Sequence, residues 1–180
     1  MRRIKEVKEL TPFVGEKITL RILSMQDIDW YANSIYTDSY NKYMDNKLTK
    51  LDFNKIKFLL SNLVVGYTMN CKAAGECRLV IIDNETLNKI GGITIFESGK
   101  NEVSIGYWIL PAYQGKGYAQ HSVNIIKELV FKLSNINMIK LEIQNENIAS
   151  RMVAIKTGFK HISTYKGKYT ENLVFELRKT

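Results

Sequence analysis

Apolar and polar positions change period several times along this 180-residue chain, and each change marks an element. Lys17-Ile-Thr-Leu-Arg-Ile-Leu23 alternates and predicts a first strand. Ser24 then stands where a helix N-cap would, and Asp27 completes a capping-box-like pattern, so a helix is expected through about Tyr36. A second helix, capped by Asp52, is predicted from Phe53 to about Val64, where Ile56, Leu59, Leu60 and Leu63 recur at helical spacing. The period then returns to two. Arg78–Asp83, Lys89–Phe96 and Val103–Leu110 read as an antiparallel meander, turning around Asn84-Glu85 and Gly99-Lys100-Asn101. Ala119, Val123, Ile126, Val130 and Leu133 mark the buried stripe of a third helix. Met138–Ile143 is a further strand, expected parallel to Val103–Leu110 because a helix separates the two. A short helix from Ile148 to about Thr157 stops at Gly158, and Phe159–Tyr165 and Leu173–Arg178 close the domain. The expectation is one α/β domain over residues 1–180: a mixed central sheet with helices on both faces, behind a polar lead-in over residues 1–15.

The sharpest local feature is Gln114-Gly-Lys-Gly-Tyr-Ala119, between the strand ending at Leu110 and the third helix. A strand that feeds a glycine-rich turn and then a helix aims several unpaired backbone N–H groups at one point. The helix dipole adds partial positive charge there, so the place suits a phosphate or pyrophosphate. Gly115 and Gly117 let an anion approach the backbone and tolerate positive φ. The chain contains no Gly-x-x-x-x-Gly-Lys-Ser/Thr string, which excludes a Walker loop. A dinucleotide fingerprint would need a small residue where Gln120 stands and a parallel first unit in place of the meander.

Composition narrows the classes. The formal net charge is +8, yet the lysines are scattered, so no nucleic-acid partner is expected. No apolar run reaches membrane-spanning length, and Met1-Arg-Arg-Ile-Lys-Glu6 lacks the apolar stretch of a signal peptide. The expectation is no membrane partner and a reduced, cytoplasmic setting. Cys71 and Cys77 have no histidine pair beside them, so no metal site is expected.

With its flanks, the glycine loop resembles the Gln/Arg-x-x-Gly-x-Gly/Ala acetyl-CoA motif of the GNAT N-acetyltransferase superfamily. The string from Ile105 to Ala119, and Gly15–Leu23 followed by Asp27, resemble the branch that includes the ribosomal-protein N-terminal acetyltransferases. Asn147-Ile-Ala-Ser150 and Lys156-Thr-Gly-Phe159 are similar to that branch's second cofactor-contacting motif. The matches are colinear from about Phe13 to Arg178.

The resemblance implies a GNAT fold whose sheet splays between its fourth and fifth strands, counted from Lys17–Leu23. It implies acetyl-CoA as cofactor, with coenzyme A as product. The pantetheine arm would lie in the split beside Trp108, Ile109 and Leu110, and an N–H of Ile109 or Leu110 would polarise the thioester carbonyl. Removing such a donor typically costs ~100–1000-fold in rate. The pyrophosphate would sit on Gln114, Gly115, Lys116, Gly117, Tyr118 and Ala119, while Asn147 would cap its helix and donate to the arm. Transfer would be direct, in a ternary complex, to a primary amine on a protein N-terminus or a small molecule. Homodimers are common in the family.

The chemistry needs a base for the amine and an acid for the leaving thiolate. Many members place a tyrosine four residues before the glycine of the Gly-Phe pair; that position is Ala154 here. The branch offers Ser150 as the acid instead and Glu102 as the base, with Glu97 or relayed water as competitors. His121 reads as a surface residue, and His161 has no evident partner. Cys71 and Cys77 lie outside both motifs, which argues against a cysteine nucleophile. The alternative from another class is a non-catalytic acyl-CoA-binding module, for which Ala154 is the supporting feature.

Overall fold

Gly15 turns the start of the chain back on itself. Its N–H donates to the Ile18 carbonyl at 2.9 Å, and Phe13–Val14 (β1) lies antiparallel on Ile18–Ile22 (β2). The end of the expected lead-in is therefore an edge strand. The molecule is seen as a computed structural model that describes residues 11–43, 51–68, 75–133, 135–167 and 170–179; residues 1–10 of the lead-in and Cys71 lie outside these. The remaining strands are β3 (Glu76–Asp83), β4 (Lys89–Gly99), β5 (Glu102–Ile109), β6 (Met138–Gln144), β7 (Lys160–Lys166) and β8 (Glu171–Arg178). The helices are α1 (Ile28–Ile35), α2 (Asp38–Asn41), α3 (Phe53–Thr68), α4 (Tyr118–Lys132) and α5 (Ile148–Lys156). The sheet runs β1-β2-β3-β4-β5-β6-β8-β7, so the expected mixed α/β architecture holds.

Alternation along β3 assigns its two faces. Leu79 and Ile81 join a core with Ile93, Ile95, Val103 and Ile105, covered by Val123, Ile126 and Val130 of α4 and by Ala154 of α5. Val80 faces the other way, into a second core with Tyr31 and Ile35 of α1 and Ile56, Leu60 and Val64 of α3. Two residues of the expected α3 stripe behave differently. Leu59 is exposed and Leu63 half-buried, and both line a cavity described below.

Asp27 fixes the start of α1. Its carboxylate accepts from both terminal nitrogens of Arg21 (2.5 and 2.8 Å), from the N–H and hydroxyl of Ser24 (3.0 and 2.6 Å), and from Lys89 Nζ (3.0 Å). Burial alone would raise its pKa, but the hydrogen bonds from Arg21, Ser24 and Lys89 outweigh it and hold the carboxyl well below the usual range. The expected capping position thus becomes a charged hub joining β2, α1 and β4.

β5 and β6 are parallel, as expected, but pair only over Glu102–Ser104 against Met138–Lys140. Past Ser104, β5 remains paired to β4 and β6 to β8, so the sheet forks at the predicted place.

Candidate active site

Where the sheet forks, the backbone decides what is on offer. In an antiparallel pair the N–H and C=O of one residue address the same neighbour, and successive residues alternate. The Leu110 N–H donates to the Ile90 carbonyl at 2.8 Å, so Leu110 and Trp108 address β4. Tyr107 and Ile109 address the fork, where β6 no longer pairs. Gln114 Nε2 donates to the Ile109 carbonyl at 2.9 Å, which leaves the Ile109 N–H as the open donor. Of the two donors expected there, Leu110 is already spent inside the sheet. An unpaired strand N–H needs a partner, and an amide-bearing arm supplies one.

The glycine loop follows at once. Pro111–Tyr113 form a 3-10 turn and Gln114 is extended. Gly115 and Gly117 then take φ of 75° and 81°, where a side chain costs roughly 1–2 kcal/mol. A Cβ at Gly115 would meet nothing within 4 Å, and one at Gly117 only His121 at 3.9 Å, so the dihedral and not crowding selects glycine. The helical bonding of α4 begins with the His121 N–H on the Gly117 carbonyl at 3.0 Å. The N–H groups of Tyr118, Ala119 and Gln120 precede it and have no acceptor within the helix.

Side chains near the loop mostly hold it. Tyr118 turns inward and donates its O–H to buried Asp83 at 3.0 Å, so it offers the loop its N–H and not its ring. Lys17 Nζ donates to the Lys116 carbonyl at 2.9 Å and lies 4.8 Å from the Tyr118 ring centre. Lys116 is exposed, with its ammonium 5.5 Å over Tyr113.

On the far wall of the fork, Asn147 caps α5 by accepting from the Ser150 N–H at 3.1 Å. The Ser150 carbonyl accepts from the Tyr107 O–H at 3.2 Å. Ala154, one turn on, is fully buried. Glu102 is not brought here. It lies at the closed end of the fork, ion-paired to Lys140 at 3.1 Å. Six residues of strand separate it from Trp108, roughly 20 Å. Glu97 lies on the opposite face of β4 from Thr94, Phe96 and Ser98, which border the cavity. His121 and His161 are exposed.

The cavity, of about 940 Å³, occupies the α3 side of the sheet. Leu59, Leu60 and Leu63 wall one side; Ser104, Gly106 and Trp108 of β5 and Glu142 and Gln144 of β6 wall the other. Trp108 packs against Trp30, Tyr31 and Tyr40, with ring centres 5.7, 5.3 and 5.9 Å apart, and donates to the Tyr31 oxygen at 3.3 Å. Gly92 makes room for it, since a Cβ there would lie 2.8 Å from Trp108 Nε1. Arg78, buried in the floor, donates Nε to Glu76. Burial works against its charge, but Tyr31, whose ring lies 5.8 Å away, and Glu76 more than offset that, and the guanidinium stays charged. Glu142 accepts from the Tyr165 O–H at 2.8 Å.

None of Arg78, Tyr107, Glu142 and Gln144 stands out in the sequence as a site residue. The one usable signal is an arginine leading directly into the apolar run Leu79–Ile82, because a buried charge needs a reason.

A model of the GNAT acetyltransferase domain matches residues 17–160, most of the sheet with the fork, loop and cap included. The chain belongs to the GNAT acetyltransferase family. Over 89 residues this GNAT chain is 34% identical to an uncharacterized N-acetyltransferase, YnaD, of Bacillus subtilis (strain 168). That alignment spans 49% of the chain and about half, 51%, of the relative. Its structure resembles a spermidine N-acetyltransferase from Vibrio cholerae in complex with CoA and spermine. The TM-score is 0.75 at 21% identity, over 91% of this chain and 96% of that one. It also resembles a ribosomal-protein-S5-alanine acetyltransferase from Vibrio fischeri, with TM-score 0.74 at 20% identity over 92% and 95%. These two likenesses carry the fold, which the two neighbours share although their named acceptors differ. Among the described residues no helix is long and apolar enough to cross a membrane, and no group of three or more His, Cys, Asp or Glu is placed to hold a metal ion.

Proposed function

We propose that this GNAT chain is a single N-acetyltransferase domain that passes an acetyl group from acetyl-CoA directly to a primary amine and releases coenzyme A. The observation that carries the reading is the fork. It joins an anion-binding loop on the α4 side to a cavity on the α3 side, and the open Ile109 N–H stands between them. Acetyl-CoA is a substrate here, and the residues fit it. The N–H groups from Gly115 to Ala119 suit the pyrophosphate, with Gln114 and Lys116 at their edge. Ile109, framed by Trp108 and Leu110, suits the thioester end. The Asn147 amide nitrogen has no protein acceptor among the described residues and can donate to the arm.

The acceptor enters from the cavity. Among the described residues Glu76 and Glu142 stand there with Arg78 as the one cation, so these side chains carry the opposite sign to a chain whose net charge is +8. That local charge suits an amine that arrives as an ammonium. Of the two side chains expected to move protons, Ser150 stands at the fork and Glu102 does not.

A melting curve with and without acetyl-CoA tests the donor half, because a ligand that binds only the native state raises the midpoint. No shift at saturating acetyl-CoA would sink the reading. Release of free CoA, followed across peptides, amino acids, amino sugars and polyamines, then separates a protein N-terminal acceptor from a small amine. Binding with silence throughout that series would leave a non-catalytic acyl-CoA module.

A further inference from the structure

One protic side chain at the fork touches both halves of the site. Tyr107 lies three residues past the last β5–β6 pair, opposite Ile93 in the β4 register. Its ring packs on the core that contains Ala154, and its O–H crosses to the Ser150 carbonyl. The same residue lines the cavity. It is thus a phenol placed where the α4 side and the α3 side of the sheet communicate.

We propose that the Tyr107 phenol is the acid that protonates the departing sulfur of coenzyme A, delivered from strand β5 and aimed by the Ser150 carbonyl. This rests on the acetyl-transfer reading above. As the amine nitrogen bonds to the acetyl carbon, the C–S bond breaks and its electron pair moves to sulfur. The phenolic proton goes to that sulfur and yields the thiol. The proton shed by the nitrogen leaves through the cavity, and the phenolate is reprotonated from solvent by the same route. One proton leaves the amine and one arrives at sulfur, so the exchange balances.

Three features suit Tyr107 to this role better than the Ser150 hydroxyl. A phenol is a far stronger acid than an aliphatic alcohol. Its bond to Ser150, at 3.2 Å, is longer than the usual O–H···O range, so rotation of the hydroxyl releases it at little cost. Burial pushes the phenol up to about 12, so the phenolate left by the step readily regains its proton from solvent. The role of Ser150 then shifts from its side chain to its backbone.

Tyr107→Phe removes the O–H and keeps the ring. The wild-type acetyl-CoA melting shift comes first; its absence overturns the acetyl-donor reading and this assignment with it. Given that shift, the variant should show the same shift, while kcat falls about 100-fold or more with the acceptor KM held. An acetyl thioester with a more acidic leaving thiol should restore most of the loss, because it needs no acid.

A readout apart from turnover is the affinity for coenzyme A against desulfo-coenzyme A at mildly alkaline pH. Wild type should prefer the thiol form by about tenfold, the worth of one hydrogen bond to a charged sulfur, and the variant by less than about twofold. An unchanged kcat in Tyr107→Phe, a loss that the acidic thiol fails to rescue, or a thiol preference that survives the substitution would each overturn the assignment.

Discussion

On the α4 side the sheet offers an incoming molecule backbone: the N–H groups of Gly115 to Ala119 and of Ile109. On the α3 side it offers side chains: Arg78 and Glu76 from β3, Glu142 and Gln144 from β6, Trp108 from β5, and leucines from α3. A backbone site is specified by dihedral angles and is nearly indifferent to which side chains surround it. A site of side chains is specified by the packing of every element that brings them. The two halves should therefore fail in different ways when single residues change.

The largest effect is expected on the α3 side, at the hub that fixes α1. Asp27→Ala leaves Arg21 and Lys89 without their shared carboxylate. Breaking a buried ion pair costs up to several kcal/mol. Arg21 and Lys89 are each 31% exposed and keep some water, so about 3 kcal/mol is expected, read from a urea midpoint. The pH dependence follows from the lowered pKa. Its contribution is complete above the unfolded value of about 4 and is lost as pH falls through that value towards the folded one. The stability gap between wild type and Asp27→Asn should narrow accordingly in acid. A gap that stays constant from neutral pH to about pH 3 would deny the hub its charge.

Gly117→Ala comes next and should break the α4 side. Its φ of 81° would cost a side chain roughly 1–2 kcal/mol, and relief of that strain would re-aim the N–H groups that follow. The acetyl-CoA melting shift should shrink by more than half, whereas Lys116→Ala, which removes only an exposed side chain, should keep most of it. Equal losses in the two variants would mean that the loop binds through side chains after all, and the contrast between the halves would fall.

This contrast also explains what could be read from the chain alone. The loop was legible because local chemistry dictates it: two glycines at positive φ between a strand and a helix leave few outcomes. Asn147 was legible for the same reason, as a cap adjacent to its own helix. The fork came from motif resemblance, because no periodicity says where two parallel strands cease to pair. The cavity was not legible. Glu142 and Arg78 are separated by a helix and two strands, and nothing in either segment records that the sheet order places them around one space. Glu102 is the converse case. Strand alternation places it on the same face as Ser104 and Trp108, but not at the same end, and Lys140 occupies it where the strands still pair.

Glu142→Gln tests the acceptor half with a smaller effect. It removes the charge and keeps an acceptor for the Tyr165 O–H. For an acceptor that carries a second cationic group, KM should rise about tenfold, the worth of one charge-assisted hydrogen bond. The acetyl-CoA melting shift should not move. A change in the donor shift with KM unaltered would place Glu142 on the wrong side of the fork.

Lys17→Met should have the smallest effect, and it probes whether the α4 side is as indifferent to side chains as its geometry suggests. Lys17 precedes β2 and reaches the loop only through the Lys116 carbonyl and the Tyr118 ring. It therefore holds the loop against the sheet and also adds a cation near the proposed pyrophosphate seat. An exposed charge in water is screened and its tether is a single bond, so the affinity for acetyl-CoA should fall only about twofold to fivefold. Added salt separates the two contributions. Should the difference between wild type and Lys17→Met vanish above about 0.5 M salt, where screening reaches a few ångströms, Lys17 acts as charge. Persistence at that salt identifies it as a tether, because a hydrogen bond to a carbonyl is little affected by ions.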